Sequence, residues 1–179
     1  SDTNINSFID KTYYYLNVNG TNGKRITTMV EPTGSVNHTI DTFLDFQFHE
    51  NDDVNIAKVG RRWFGERFDV ENTQVFNFEF PNVVTSRPAR IKINAAAAAE
   101  TTTTMQVNVD AAAIDVLNFN PIGGPILARA DNTNASFTPT TSMNVVLNYN
   151  NGGNPSAEAY LDYITIEAFR ALKANQNQF

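Results

Sequence analysis

Apolar and polar residues alternate at a spacing of two over most of this chain, which is the pattern of half-buried β-strands. TYYYLNV (12–18) is aromatic and β-branched, NGTNG (19–23) is a turn cluster, and KRITTMV (24–30) resumes strand chemistry. Asn and Gly tolerate the positive φ of tight hairpins, so 12–30 is expected to form a hairpin. EPTGS (31–35) is a second turn. In TIDTFLDFQFHE (39–50) the period puts Ile40, Leu44, Phe46 and Phe48 on one face and Asp45, Gln47 and His49 on the other. Phe43 is the exception on the polar face. QVFNFEFPNVV (74–84) repeats the theme with Phe76, Phe78 and Phe80 on one face, Val75 out of phase, and Pro81 ending the ladder.

Segment 90–119, RIKINAAAAAETTTTMQVNVDAAAIDVLNF, carries two opposed signals. Its five consecutive alanines favour helix by propensity. The alternating RIKIN before them and the β-branched TTTTMQVNV after them favour strands. No capping pattern opens a helix, and so short a helix is marginal unless packed. Two or three strands are expected here, with the alanines letting neighbouring layers approach closely. NPIGGP (120–125) is a breaker. ASFTPT (135–140) and SMNVVLNYN (142–150) follow as strands, then the polar turn NGGNPS (151–156). In YLDYITIEAFR (160–170), Leu161, Tyr163, Thr165 and Glu167 should face one way and Tyr160, Asp162, Ile164 and Ile166 the other.

Ten or so short strands between regular turns, with no repeats and no long linker, predict an all-β chain. The expected fold is a single antiparallel β-sandwich, jelly-roll-like, over 1–172, with 173–179 as a polar tail or the start of a linker. The phenylalanine rows suit a sandwich, since its two inner faces interdigitate into one core.

Composition removes several function classes. The net charge is −6 with 13 Lys and Arg in no long basic block, so nucleic-acid binding lacks its positive footprint. No apolar run approaches the roughly 20 residues of a membrane-spanning helix. The opening SDTNINSF has neither the basic nor the apolar region of a signal peptide, and reads as a mature or truncated start. With no cysteine, this segment holds no disulfide, thiolate zinc site or cysteine nucleophile.

Candidate chemistry is sparse. GRRWFGERFD (60–69) holds the chain's one tryptophan. One reading exposes Trp63 as a stacking platform, with Arg61 and Arg62 reaching anionic or sugar groups. The favoured reading buries the indole and pairs the arginines with Glu66, Asp69 or Glu71. Gly60 and Gly65 lack the spacing of a phosphate cradle. Glu50, Asn51, Asp52, Asp53 and Asn55 offer hard oxygen donors of the kind calcium takes, without the rhythm of a helix-loop-helix site; a solvated turn is the simpler reading. His38 and His49 come with no hydrolase elbow and no zinc-protease helix. No catalytic, metal or cofactor residue is assigned.

Three pieces together resemble a known family: YYYLNVNGTNGKRI, VNIAKVGRRWFGERFDVENTQVFNFEFPN and AYLDYITIEAFRAL, in that order. The chain resembles the non-catalytic β-domain upstream of gingipain-like cysteine peptidase domains, as in the sortase of the type IX secretion system. The matching positions are Gly60, Arg61, Trp63, Phe64, Gly65, Glu66 and Phe68, then 76–82, then 160–172; residues 90–150 match only in strand character. The resemblance implies an exported parent peptidase at the cell surface or outer membrane. Its catalytic cysteine and histidine would lie in the downstream domain. The implied partners are that domain and secretion-system proteins, with Arg61, Trp63, Phe64 and Glu66 as a possible interface and no cofactor. The competing reading is a jelly-roll carbohydrate-binding module with a structural calcium.

Overall fold

A computed structural model describes residues 15–16, 20, 23–31 and 33–174. The chain divides into two compact units, Ser1–Thr39 and Ile40–Phe179. In the first unit the described residues carry no helix or strand. The first arm of the expected 12–30 hairpin lies mostly outside the described residues. Its second arm, 24–30, is described and is not a strand, so a β-branched run flanked by turns does not by itself make one. Strand pairing supplies the stabilisation that propensity lacks.

The second unit is an antiparallel sandwich of nine strands: β1 (Thr42–Glu50), β2 (Arg67–Phe68), β3 (Thr73–Glu79), β4 (Ala89–Ala98), β5 (Thr103–Val109), β6 (Ala112–Phe119), β7 (Arg129–Phe137), β8 (Ser142–Asn150) and β9 (Glu158–Ala171). One sheet runs β1-β9-β4-β7, with β2 continuing the β1 side of β9; the other runs β3-β8-β5-β6. Successive strands mostly cross from sheet to sheet, and every pair is antiparallel. This is the jelly-roll arrangement. Among the described residues no helix is long and apolar enough to cross a membrane.

The polyalanine run forms the C-terminal end of the interior strand β4, with Ala95, Ala96 and Ala97 paired on both sides. Ala95, Ala97 and Ala99 face the core, while Ala96 faces outward beneath Phe64 and Tyr160. Small side chains let a surface loop lie close on the sheet there. The Phe76, Phe78 and Phe80 row is buried as the period predicts. It meets Phe68, Ile91, Met105, Leu147, Leu161 and Ile164 in one core. The expected strand 135–140 begins earlier and ends sooner, because β7 is Arg129–Phe137 and Pro139 lies beyond it.

The structure decides the inward face of β1 and corrects the face assignment of β9. In β1 the alternation is as expected, and the apolar row is the outward one: Leu44, Phe46 and Phe48 are 54%, 53% and 65% exposed. The polar face points into the sandwich because each of its side chains finds a partner there. Asp45 Oδ2 accepts from Arg170 Nη1 at 2.7 Å, Gln47 Nε2 donates to the Glu79 carbonyl, and His49 packs on the Phe76 ring with centroids 4.7 Å apart. In β9 the phase slips. Ala95 pairs with Leu161 and Asn94 with Tyr163, leaving Asp162 as an extra residue. A bulge of one residue flips every later side chain. Leu161 therefore shares the core side with Ile164 and Ile166, and Tyr160 faces outward.

Candidate functional site

The loop between β1 and β2 folds over the outer face of the first sheet. Backbone bonds fix it: Phe64 N–H donates to the Val54 carbonyl (2.8 Å) and Val54 N–H to that of Phe64 (2.8 Å). Gly65 N–H then donates to Leu161 O (2.7 Å), and Leu161 N–H to Glu66 O (2.9 Å), stitching the segment to β9. Gly65 is needed for closeness. A Cβ there would lie 2.8 Å from Asn51 Cβ and 3.0 Å from the Asn51 carbonyl oxygen.

This clamp separates the side chains of GRRWFGERFD. Phe64 is 4% exposed and packs on Ala96 and Tyr160. Trp63 is 43% exposed, so the favoured expectation of a buried indole is corrected. With its neighbour Phe64 turned inward and bridged to Val54, extended backbone directs the intervening side chain outward. Arg61 is exposed. Arg62 Nη2 reaches Asp162 Oδ2 (3.3 Å) and Asn94 Oδ1 (3.2 Å), with its guanidinium 5.1 Å from the Phe64 ring centre. Its partner is the residue the bulge re-aims, not Glu66, Asp69 or Glu71. Burial raises the Asp162 carboxyl above its usual range despite the opposing pull of Arg62. Arg67 pairs with Asp69 (3.2 Å) and with Glu158. Glu158 also accepts from the Tyr160 hydroxyl, and Tyr160 is pushed up to about 12, first by burial and then by that bond.

Glu66 turns to the other side of the segment. Its Oε1 sits 2.7 Å from His49 Nε2 and accepts from Asn51 Nδ2 at 2.7 Å, while its Oε2 is buried without a partner. A histidine held by a carboxylate could move a proton. Among the described residues Glu66 is its hydrogen-bond partner, and no hydroxyl is bonded to it. His38 contacts the Asn37 carbonyl and stands apart. Within 50–55, Asn51 donates from its Nδ2 to Glu66 Oε1. Among the described residues no three His, Cys, Asp or Glu side chains converge as a metal set. Beside Phe64 an apolar cleft of about 290 Å³ opens, lined by Ile56, Val59, Arg62, Ala96, Leu127 and Ala128 among others.

The structure thus gathers Arg61, Trp63, Phe64 and Glu66 on one clamped segment without bringing them to one point. Sequence reasoning missed Asp162, Asn94 and Tyr160; only the bulge and the strand register could have brought them to notice.

No protein-family model matches the chain, and no curated protein matches it. Among solved structures it is similar to dimeric latent PorU from Porphyromonas gingivalis, with TM-score 0.65 and 17% identity, covering 79% of this chain and 14% of that one. It is more distantly similar to the CBM36-1 domain of a multidomain xylanase from the hindgut metagenome of Trinervitermes trinervoides, with TM-score 0.44 and 8% identity over 68% of this chain and 96% of that one. A carbohydrate-binding module CBM36 in complex with calcium and xylotriose gives TM-score 0.43 and 14% identity over 68% and 98%. At these identities what is shared is the jelly-roll sandwich, and this chain spans about a seventh of the PorU chain.

Proposed function

We propose that this chain is the non-catalytic accessory sandwich of an exported, cell-surface cysteine peptidase of the gingipain-like, type IX sortase-like kind. In this reading the sandwich positions the peptidase domain of the same polypeptide or docks secretion partners, and the reactive groups lie elsewhere. The observation that carries the proposal is the pairing of two likenesses. The ordered segments around Gly60–Phe68, 76–82 and 160–172 resemble that family, and the fold is like a small part of a long multidomain chain. The clamped segment supports a contact role. It is hydrogen-bonded to β9 and holds Arg61 and Trp63 outward, with Phe64 anchoring it from beneath and Glu66 bracing its flank. Half-buried aromatics beside arginine are the residue types that dominate interface energies.

The test is the native reading frame together with an assay. A peptidase domain bearing a His and Cys pair should follow, and the isolated sandwich should show no peptide hydrolysis. A frame without such a domain, or turnover by the sandwich alone, sinks the proposal.

The half-exposed Trp63 also favours a second reading, a carbohydrate-binding module. Affinity gels over a polysaccharide panel, with and without calcium, decide it. Saturable retardation lost in Trp63→Ala supports the module; unchanged mobility on every gel removes it.

A further inference from the structure

β1 is the edge of its sheet, and its outward row of Leu44, Phe46 and Phe48 is more than half exposed. Long apolar edges are normally blunted by lysine, proline or a bulge. Strand β1 has none of these, and no described strand pairs with its outer side. The hydrogen bonds show which backbone groups face away from β9. Leu172 N–H donates to Asp41 O (2.8 Å), and the register pairs Thr42 with Ala171. Odd-numbered residues of β1 therefore bond to β9, and even-numbered ones point outward. Phe46 N–H faces that way too; in the single copy it donates to Asp45 Oδ1 at 2.9 Å, a bond that pairing with a second copy must exchange.

We propose that this edge pairs with β1 of a second copy of the chain, antiparallel, about a two-fold axis at Phe46. An isologous contact needs a self-complementary sequence, and TFLDFQFHE is one in this register. Leu44 meets Phe48 of the second copy, and Phe46 meets Phe46 of the second copy; all three types carry outward-pointing N–H and C=O groups, as a bonded pair requires. The outer rows merge into one apolar ridge. Asp45 falls opposite Gln47 of the second copy and Glu50 opposite Thr42 of the second copy, so no like charges meet. Sliding two residues one way opposes Asp45 to Asp45 of the second copy. Sliding the other way sets Leu44 against Glu50 of the second copy. Both are penalised.

Sedimentation equilibrium and amide exchange by NMR on the full chain test this together. An edge contact is small, so the average mass should rise from 19.9 kDa towards its double between about 10 µM and about 1 mM. Over the same range the Leu44 and Phe48 amides should slow about tenfold by mass action, while those of Phe43, Asp45 and Gln47 stay protected throughout. The chain has no cysteine, so single-cysteine variants report register. Phe46→Cys should crosslink under a mild oxidant, since paired Cα atoms lie about 5.5 Å apart. Leu44→Cys should not, its two copies standing roughly 13 Å apart along the strands. A constant monomer mass overturns the proposal. So do Leu44 and Phe48 amides protected independently of concentration, which would mean the chain covers its own edge, and equal crosslinking of the two variants.

Discussion

At the scale of single residues, position in the sandwich decides what a phenylalanine contributes. Phe80 is fully buried at the end of the β3 row, whereas Phe48 stands outward on β1. Phe80→Ala should cost about 3–5 kcal/mol through lost burial and the cavity left behind. Phe48→Ser should stay within about 0.5 kcal/mol at low protein concentration. Urea unfolding of both variants checks the contrast, and equal losses would return β1's apolar row to the core. Asp162 gives a prediction of unusual sign. Its carboxyl is raised by burial, so the folded state binds the proton more tightly than the unfolded state. Its contribution is most favourable below the ordinary value of 3.8 and declines as pH rises through the elevated folded value. Asp162→Asn should therefore match or exceed the parent's stability at pH 7, its advantage fading towards pH 3. The half-exposed Arg62 loses little when it gives up this ion pair. Thermal melts across that range would contradict this if the variant were clearly weaker at neutral pH.

At the scale of elements, the β1–β2 loop depends on how closely it approaches β9. Gly65→Ala would drive a Cβ into Asn51, whose amide holds Glu66 beside His49. We expect a loss of about 1–3 kcal/mol, of the size seen when a packed site is overfilled. Local loosening should show as weakened NMR contacts between His49 and Phe76; an unchanged stability and spectrum would show that the loop has slack. Elements are also where the sequence was most and least readable. SMNVVLNYN coincides with β8, and the Phe76 to Phe80 row announces its burial, because both lie in strands whose one face simply meets core. Periodicity found the two faces of β1 without saying which is inward. That depended on Arg170, 125 residues away from Asp45. It failed in β9 because Asp162 inserts one residue into an otherwise regular ladder. The same insertion aims Asp162 at Arg62, 100 residues earlier, so this part of the candidate site was hidden for the same reason.

At the scale of the molecule, the jelly roll supplies a rigid body, and its decorations carry whatever recognition it performs. The core closes between two four-stranded layers, with the short β2 added beside β9 at the end of the Trp63 segment. Fold alone assigns no activity. The proposed role rests on Arg61 and Trp63 held outward by a loop hydrogen-bonded to β9. The most direct measurement is hydrogen-exchange mass spectrometry comparing this sandwich alone with the longer, peptidase-bearing polypeptide that the proposal requires. Contacts between domains of one chain bury surface as transient complexes do. The account predicts that the peptide spanning 60–68 exchanges more slowly in the longer polypeptide, and that Trp63→Ala abolishes the difference. Identical exchange across the whole sandwich in both contexts would contradict a docking role for this segment.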